Sequence, residues 1–348
     1  MKRILLLFIV AILIVTALPS CTGRASMYSA SSFEYFDTVT ELVGYTASRE
    51  RFDEAWGRVK ALLTEHHRSF DIYNTYDGTV NLAAINDTAG RSDRSFSVSA
   101  EIYELLMLGK NVYELTDGKV NIAMGGVLSL WHECRVGEKT ALPDPTALEQ
   151  AAEHCSIDSF TLTESEGGRY LLTVTDPYLK FDVGAIAKGY SAKKAAELLD
   201  SLRLEGEGFM LNLGGMVCPS GTKPQDEAWI AGVEYPSDSP KEDYLCRVKI
   251  SDGALVTSAA HIRAFTVDGK SYGHIIDSET LFPSERFAAV TVHAYDPSLG
   301  DALSTALFCM SEKDGRALIE KLGGAEAMWV YHDMTLSRTD GFSKMLVK

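Results

Sequence analysis

Hydrophobic positions recur at helical spacing in two long stretches, residues 51–70 and 99–115, and each stretch is predicted to form an amphipathic helix. Shorter runs rich in β-branched and aromatic residues, separated by turn-forming residues, indicate strands. Further helices are predicted over 146–154, 191–202 and 301–310, and strands over 36–45, 160–163, 170–175, 209–213, 229–234, 245–250, 262–267, 288–294 and 328–337. Because helices and strands mix without regular alternation, the pattern predicts an α+β fold.

The first apolar run, residues 4–18, has a different character from the rest of the chain. Two basic residues precede it, and it is shorter than the roughly 18 residues of a membrane-spanning helix, so a signal peptide is predicted over residues 1–20. Its Leu-Pro-Ser-Cys ending resembles a bacterial lipobox, in which Cys21 is lipidated and becomes the mature N-terminus. A short uncleaved anchor is the alternative. Both interpretations predict an extracytoplasmic protein that is tethered to a membrane.

The remaining chain has the length of one large domain or of two intimately packed halves, predicted over residues 33–348. Residues 22–32 are small and mostly polar, so residues 21–32 are predicted to form a lipidated tether between membrane and fold.

The composition is acidic, with 33 Lys and Arg against 48 Asp and Glu and a formal charge of −15. Removal of the two basic residues of the leader makes the mature chain −17. Such a surface argues against nucleic acid as a partner and against polybasic docking to anionic lipid. A phosphate-rich ligand therefore needs local help from a metal ion, a lysine or a helix N-terminus. The five cysteines that follow Cys21 include no C-x-x-C pair, which disfavours a disulfide framework and a thiolate zinc site.

Residues 181–190, FDVGAIAKGY, lead from a hydrophobic strand through a glycine-containing turn towards a helix. Free N–H groups at a helix start favour an anion, and Lys188 adds a positive charge at that end. The segment matches neither G-x-G-x-x-G nor the P-loop. A tight strand-to-helix turn with a solvated lysine is therefore an equally good interpretation of the local pattern.

Asp301 and Thr305 lie four residues apart on a predicted helix, so their side chains share a face, about 5–6 Å apart at Cβ. Carboxylate and hydroxyl oxygens are hard ligands that Mg²⁺ accepts, usually with waters and substrate phosphate. The structural alternative is that Asp301 caps the helix start and Thr305 bonds back to the preceding turn.

His274 and Asp277 flank an apolar pair after a predicted hairpin turn. With an ordinary pKa near 6.5, His274 is a candidate general base that a nearby carboxylate would orient, although a lone surface histidine is the commoner arrangement. Residues 212–215, NLGG, end an apolar strand in paired glycines, which suits close approach to a ligand or a bulge.

The order of these segments is more specific than any one of them. Between Phe70 and Phe308 the chain carries, in sequence, FDIYNTYDG…AIN, TDGKVNIAMGGVLSLW, FDVGAIAKGYSAKKAAELL, LNLGG, ALVTSAAHIRAFTVDGKSYGHIID and DALSTALF. Together they resemble the FAD:protein FMN transferase (ApbE-like) family of flavin-handling lipoproteins. The resemblance covers nearly the whole mature chain, and the lipobox fits the same family.

The resemblance implies an α+β fold with T-fold-like halves that bind FAD and Mg²⁺ between them. It implies Mg²⁺-dependent transfer of FMN from FAD to a Thr or Ser hydroxyl of an acceptor protein, with release of AMP. The implied acceptor is a flavoprotein subunit of a membrane redox complex. An FAD pyrophosphatase that releases FMN and AMP, and a non-catalytic flavin-binding lipoprotein, are the alternatives.

The resemblance also implies roles for individual residues. The metal ligands would be Asp301, Thr305 and the backbone carbonyl of Ala185, and the base would be His274, with Asp277 as an alternative. FAD contacts are implied for Phe36, Tyr73, Lys119, Val120, Asn121, Asp182, Lys188 and Ile275.

Three segments depart from the family's usual pattern. The usual D-S-E-L-S reads DGTVNL at residues 77–82. The usual G-A-F-D reads GKVN at residues 118–121, which loses a carboxylate, and the usual H-I-I-D-P-x-T-G reads HIIDSETL at residues 274–281. These changes affect the geometry expected around the flavin and the diphosphate, and they leave the Asp301 and Thr305 pair intact.

Overall fold

The computed structural model describes residues 25–137, 141–237 and 244–347. The predicted signal peptide and the lipidated Cys21 lie outside the described residues. None of the helices in these ranges combines the length and the apolarity that a membrane span requires.

Helices and strands are mixed along the chain, which confirms the predicted α+β class. The strands of the described ranges are β1 (Ser26–Tyr35), β2 (Thr38–Thr46), β3 (Ser95–Val98), β4 (Phe160–Ser165), β5 (Arg169–Val174), β6 (Gly208–Leu213), β7 (Met216–Ser220), β8 (Trp229–Glu234), β9 (Tyr244–Ile250), β10 (Ala254–Ala259), β11 (Phe265–Val267), β12 (Lys270–Tyr272), β13 (Ala289–Ala294), β14 (Ala325–Val330) and β15 (Leu336–Arg338). The helices are α1 (Arg49–Phe70), α2 (Leu82–Asn86), α3 (Ala100–Leu115), α4 (Gly125–Val136), α5 (Pro145–Ala152), α6 (Ala187–Leu202), α7 (Pro297–Cys309), α8 (Glu312–Leu322) and α9 (Asp340–Met345).

A sheet of eight antiparallel strands, in the order β1-β2-β6-β7-β10-β13-β14-β15, forms the centre of the fold. Helices α1 and α6 cover one face, where Phe52 and Leu63 of α1 join Leu42 of β2 in one buried cluster. On the other face, the β8–β9 hairpin and α9 bury Trp229 and Phe342. Strand β13 is buried at every position because it is covered on both faces.

A second layer contains α2, α3 and the three-stranded sheet β3-β5-β4, and it shares a buried cluster with α7 and β13. Arg94, only 2% exposed, lies within this layer and donates to the backbone carbonyls of Ile85, Asp176 and Leu179. Because the bonds to the Ile85 and Leu179 carbonyls are buried, the guanidinium fixes the loop that leads into the 181–188 turn.

The helices predicted over 51–70 and 99–115 and the hairpin of β4 and β5 are confirmed. Three other predictions need correction. Residues from Ser26 onwards, assigned to the tether, form most of β1. The single strand predicted over 328–337 is two strands, β14 and β15, that pair antiparallel. Helix α7 begins at Pro297, with Asp296 accepting from the Ser298 N–H, so the alternative that Asp301 caps this helix is wrong.

Candidate active site

One cavity of about 590 Å³ lies where the two layers meet. Its wall is formed by the β1–β2 turn, the loop that follows α1, helix α4 and the loop that precedes it, the turn that precedes α6, strand β10, residues of the segment 262–276, and helix α7. All twelve residues that the resemblance assigns to metal, flavin and base line this cavity, from Phe36 to Thr305. Segments that are up to 269 residues apart in sequence therefore meet around one volume, since 305 − 36 = 269.

The side chain of Asn86 holds the turn before α6 by hydrogen bonding to both backbone groups of Phe181. The Asn86 amide donates to the Phe181 carbonyl at 2.9 Å and accepts from the Phe181 N–H at 2.7 Å. The Asp182 carboxylate then accepts from the Gly184 N–H at 2.8 Å, which bends the chain towards the first turn of α6. Burial raises the pKa of Asp182 above its usual range.

Asp301 connects α7 to the start of α6. Its side chain, 4% exposed, accepts from the Gly189 N–H at 2.8 Å and from Lys188 Nζ at 3.1 Å. The two helices approach so closely that a Cβ at Gly189 would lie 2.6 Å from the Asp301 Cβ. The N-terminal turn of α6, a lysine and a buried carboxylate therefore meet at one point of the cavity wall.

The oxygen atoms around this point suit a magnesium ion. The Thr305 hydroxyl and the Ala185 carbonyl have no hydrogen-bond partner among the described residues, and both residues line the cavity beside Asp301. The hydrogen bond from the Thr305 hydroxyl to the preceding turn, which was the structural alternative to a metal site, is therefore absent from this part of the chain. No cluster of three or more His, Cys, Asp or Glu side chains arranged for a metal occurs in the described ranges. One carboxylate with neutral oxygens is a typical protein contribution to Mg²⁺, which retains waters and takes substrate phosphates.

His274 presents a neutral imidazole to the cavity. Its Nδ1 lies 2.8 Å from the Ile262 carbonyl, which only accepts, so Nδ1 carries the proton and Nε2 has a free lone pair. Burial lowers the pKa of His274 to about 4, and Arg263 and Arg135 act in the same direction. A backbone carbonyl, and not the expected carboxylate of Asp277, therefore orients this ring.

Asp277 is instead held in an ion-pair cluster. Its carboxylate lies 3.2 Å from Lys119 Nζ, and the same nitrogen lies 2.8 Å from the Glu279 carboxylate. Lys119 therefore lines the cavity with its charge already compensated. Asn121 is also engaged, since its amide donates to the Cys155 carbonyl and accepts from the Ala123 N–H.

Apolar and aromatic groups complete the wall. Val120 and Ile275, 2% and 8% exposed, contribute apolar side chains to the cavity lining. Phe36 has a left-handed φ of 52°, and its carbonyl accepts from Arg263 at 3.2 Å. Tyr73 stacks on His132 with ring centroids 4.5 Å apart. Such a mixture of aromatic surface and a few polar groups is typical of nucleotide and cofactor pockets.

The cavity residues that were not predicted from the sequence include His132, Arg135 and Arg263. The first two lie on α4, which was not predicted because the segment opens with Gly125 and Gly126 and its start has no side-chain cap. Arg263 lies in a loop that the sequence assigned to a strand over 262–267, whereas β11 begins at Phe265.

Comparison with known proteins gives a consistent result. The ApbE family model matches residues 36–329. An FAD:protein FMN transferase of Treponema pallidum is 28% identical over 345 residues, covering 95% of this chain and 92% of the relative, and one of Klebsiella pneumoniae is 28% identical over 272 residues, covering 76% and 81%.

Solved structures agree with the family match. An ApbE protein from Thermotoga maritima superposes with a TM-score of 0.79 at 26% identity, covering 93% of this chain and all of the other. The flavin transferase ApbE from Vibrio cholerae has the same fold, with a TM-score of 0.75 at 23% identity, 92% of this chain and 100% of that protein being covered. The chain therefore belongs to the ApbE family.

Proposed function

We propose that this protein transfers FMN from FAD to a Thr or Ser hydroxyl of an acceptor protein, with Mg²⁺, and releases AMP. The observation that carries the proposal is the convergence on one cavity of the twelve residues to which the family resemblance assigns roles. The names of the curated relatives support flavin transfer as the reaction.

The reaction forms one P–O bond and breaks another. The acceptor oxygen attacks the phosphorus of the FMN half, the bond to the bridging oxygen of the diphosphate breaks, and AMP leaves with that oxygen. Such transfers depend on positioning and on neutralising charge at the phosphates. A bound Mg²⁺, held by Asp301, Thr305 and the Ala185 carbonyl, would neutralise diphosphate charge.

Lys188 supplies the protein's own positive charge at the same point. Its ammonium is fixed against Asp301 at 3.1 Å and its side chain is 27% exposed, so it faces the cavity with part of its surface free for a phosphate. The first turn of α6 starts one residue before it, and the helix N-terminus favours an anion as well. Because Asp301 compensates the Lys188 charge as Asp277 and Glu279 compensate that of Lys119, the diphosphate site of this chain of net charge −15 would depend on the bound Mg²⁺ and on the helix N-terminus as well.

His274 receives the proton of the acceptor hydroxyl in this proposal. The bond to the Ile262 carbonyl fixes the tautomer with Nε2 unprotonated, and the lowered pKa keeps the ring neutral at neutral pH. Asp277 is the weaker candidate because Lys119 and the Glu279 N–H occupy its carboxylate.

The cellular setting is part of the proposal. Lipidation of Cys21 would anchor the enzyme outside the cytoplasm, where a flavoprotein subunit of a membrane redox complex would be the acceptor. The lipobox-like ending of the apolar leader supports this location.

The test incubates the full chain with FAD, Mg²⁺ and such an acceptor subunit, followed by denaturing electrophoresis and imaging of flavin fluorescence. We expect a fluorescent acceptor band that survives denaturation and disappears when the acceptor Thr is replaced by Val. Release of FMN and AMP without acceptor labelling would indicate the pyrophosphatase instead. FAD binding without any turnover would indicate a flavin-binding lipoprotein.

A further inference from the structure

Arg135 is a half-buried guanidinium at the cavity wall, where the nearby Asp182 and Asp37 act on its pKa without forming an ion pair with it. It lies in the last turn of α4 and lines the cavity. Among the described residues, no Asp or Glu oxygen lies within ion-pair distance of it, and its hydrogen-bond partner is His132, with Nη2 and Nδ1 2.8 Å apart.

The partner of Arg135 is a neutral acceptor. A guanidinium only donates, so His132 Nδ1 must carry a lone pair and the ring must be uncharged. Tyr73 lies against the same imidazole, since its ring stacks on His132 and its hydroxyl lies 3.3 Å from Nδ1. Burial and the neighbouring Arg135 lower the pKa of His132. The imidazole therefore orients the guanidinium without cancelling its charge.

The neighbouring charged groups leave the positive charge available. Asp182 lines the same cavity, but its carboxylate accepts from the Gly184 N–H and makes no ion pair among the described residues. Arg263 adds a second guanidinium, which holds the Phe36 and Asp37 carbonyls at 3.2 and 3.1 Å and likewise lacks a carboxylate partner within the described ranges. Two arginines thus line a cavity in which Lys119 is already neutralised.

A structural role at the end of α4 accounts for only part of this arrangement. A cation in the last turn of a helix gains about 0.3–1 kcal/mol from the helix dipole. The other N–H groups of Arg135 make no hydrogen bond to any described residue and remain accessible from the cavity, and burial lowers the pKa of this guanidinium. Arginine presents a planar fork that matches phosphate oxygens, so a phosphate ligand would satisfy these donors.

We propose that Arg135, held by the neutral His132, binds a phosphate group of the flavin nucleotide and makes the cavity selective for phosphorylated over unphosphorylated ligands. The inference rests on the proposed function in that it takes FAD as the ligand. Arg135 would determine the specificity and His132 would orient it, and neither role depends on group transfer or on a bound metal.

The test measures dissociation constants of the full chain in EDTA and without acceptor, so that binding is separated from metal and turnover. FAD, FMN and riboflavin are followed by flavin fluorescence, and AMP by calorimetry. We expect Arg135→Gln to weaken FAD binding about tenfold to hundredfold, which is the usual effect of losing a charge-assisted hydrogen bond, and to change riboflavin binding less than twofold. FMN and AMP then identify the phosphate: the nucleotide that is weakened together with FAD carries it.

Two substitutions of His132 provide a matched pair. His132→Asn retains a neutral acceptor for Arg135, whereas His132→Asp supplies a carboxylate that pairs with it. We expect the FAD dissociation constant of His132→Asn to lie within about threefold of that of the unsubstituted protein. We expect His132→Asp to weaken FAD binding as strongly as Arg135→Gln does. A packing role predicts the opposite for Asp, because an ion pair would hold Arg135 at least as firmly. Thermal unfolding of each variant checks that it is folded.

Equal FAD affinity in Arg135→Gln and the unsubstituted protein would overturn the inference, as would equal weakening of FAD and riboflavin. Neither result would affect the proposed function if acceptor labelling persists. Conversely, phosphate-selective binding that depends on Arg135, together with no acceptor labelling, would remove the transferase proposal and retain this inference.

Discussion

Asp301→Asn separates the charge of the proposed metal site from the role of Asp301 in joining two helices. The carboxylate accepts from the Gly189 N–H at 2.8 Å, within a contact that is closed to water. An asparagine oxygen at the same place still accepts this bond. Asp301→Ala leaves the buried N–H without a partner, which costs about 1–3 kcal/mol of unfolding free energy.

Loss of the contact between Asp301 and Lys188 contributes little to the change in unfolding free energy. The Lys188 side chain is 27% exposed, so water can solvate its ammonium after the carboxylate is lost. We therefore expect Asp301→Asn to lower the unfolding free energy by about 1 kcal/mol, and Asp301→Ala by more. Urea unfolding of the full chain measures both values.

The effect on activity is much larger than the effect on stability. Loss of the only carboxylate among the proposed magnesium ligands removes several kcal/mol of charge stabilisation from the reacting phosphates. We expect both variants to label the acceptor at least about 10²–10³-fold more slowly, while some FAD affinity remains. If Asp301→Asn labels the acceptor within tenfold of the unsubstituted rate and with the same Mg²⁺ requirement, the assignment of Asp301 as a metal ligand is wrong.

Further predictions concern the neighbours of this site and the buried histidines. Thr305→Val should raise the Mg²⁺ concentration for half-maximal labelling at least about tenfold, whereas Thr305→Ser should restore it, and a metal titration decides. His274→Gln should slow labelling about 10²-fold or more and leave the FAD dissociation constant within threefold, since the residue acts on a proton. Gly189→Ala places a Cβ 2.7 Å from the Pro297 carbonyl and should destabilise the fold by about 1–3 kcal/mol, whereas Gly126→Ala, with 3.6 Å of room, should not. Burial lowers the pKa of His66 and of His274 to about 4, so the unfolded chain binds more protons between pH 6.5 and 4, and urea midpoints should fall as the pH falls through that window.

The fold class and the long amphipathic helices were predictable because they rest on periodicity. Helix α1 buries Phe52, Trp56, Val59 and Leu63 at the spacing of a single helical face. Strand β1 was missed because its residues are mostly small and polar. It is an edge strand that leaves much of its surface exposed, so burial imposes no clear alternation on its sequence.

Helix boundaries depended on caps that the pattern of apolar residues does not show. Helix α7 starts at Pro297 after the cap Asp296, four residues before the predicted start at Asp301. Proline at a first helical position after an aspartate is a start signal in its own right. The earlier start places Asp301 inside the helix, where its side chain points to α6 instead of capping.

The candidate site could be assembled from the sequence only through the order of its segments. Local spacing linked Asp301 to Thr305, but nothing local linked either of them to Ala185, more than a hundred residues earlier. The tautomer of His274 and the pairing of Lys119 with Asp277 are set by loop carbonyls and by tertiary contacts. Arg135 was missed because its significance lies in the absence of a carboxylate partner among the described residues, which a sequence does not display.

The most direct measurement of the central claim is a crystal structure with FAD and Mn²⁺ in place of Mg²⁺, in which anomalous scattering locates the ion. We expect a peak at about 2.0–2.2 Å from oxygens of Asp301, Thr305 and Ala185, in contact with the diphosphate of FAD. An ion bound elsewhere, or a diphosphate remote from Asp301, would contradict it.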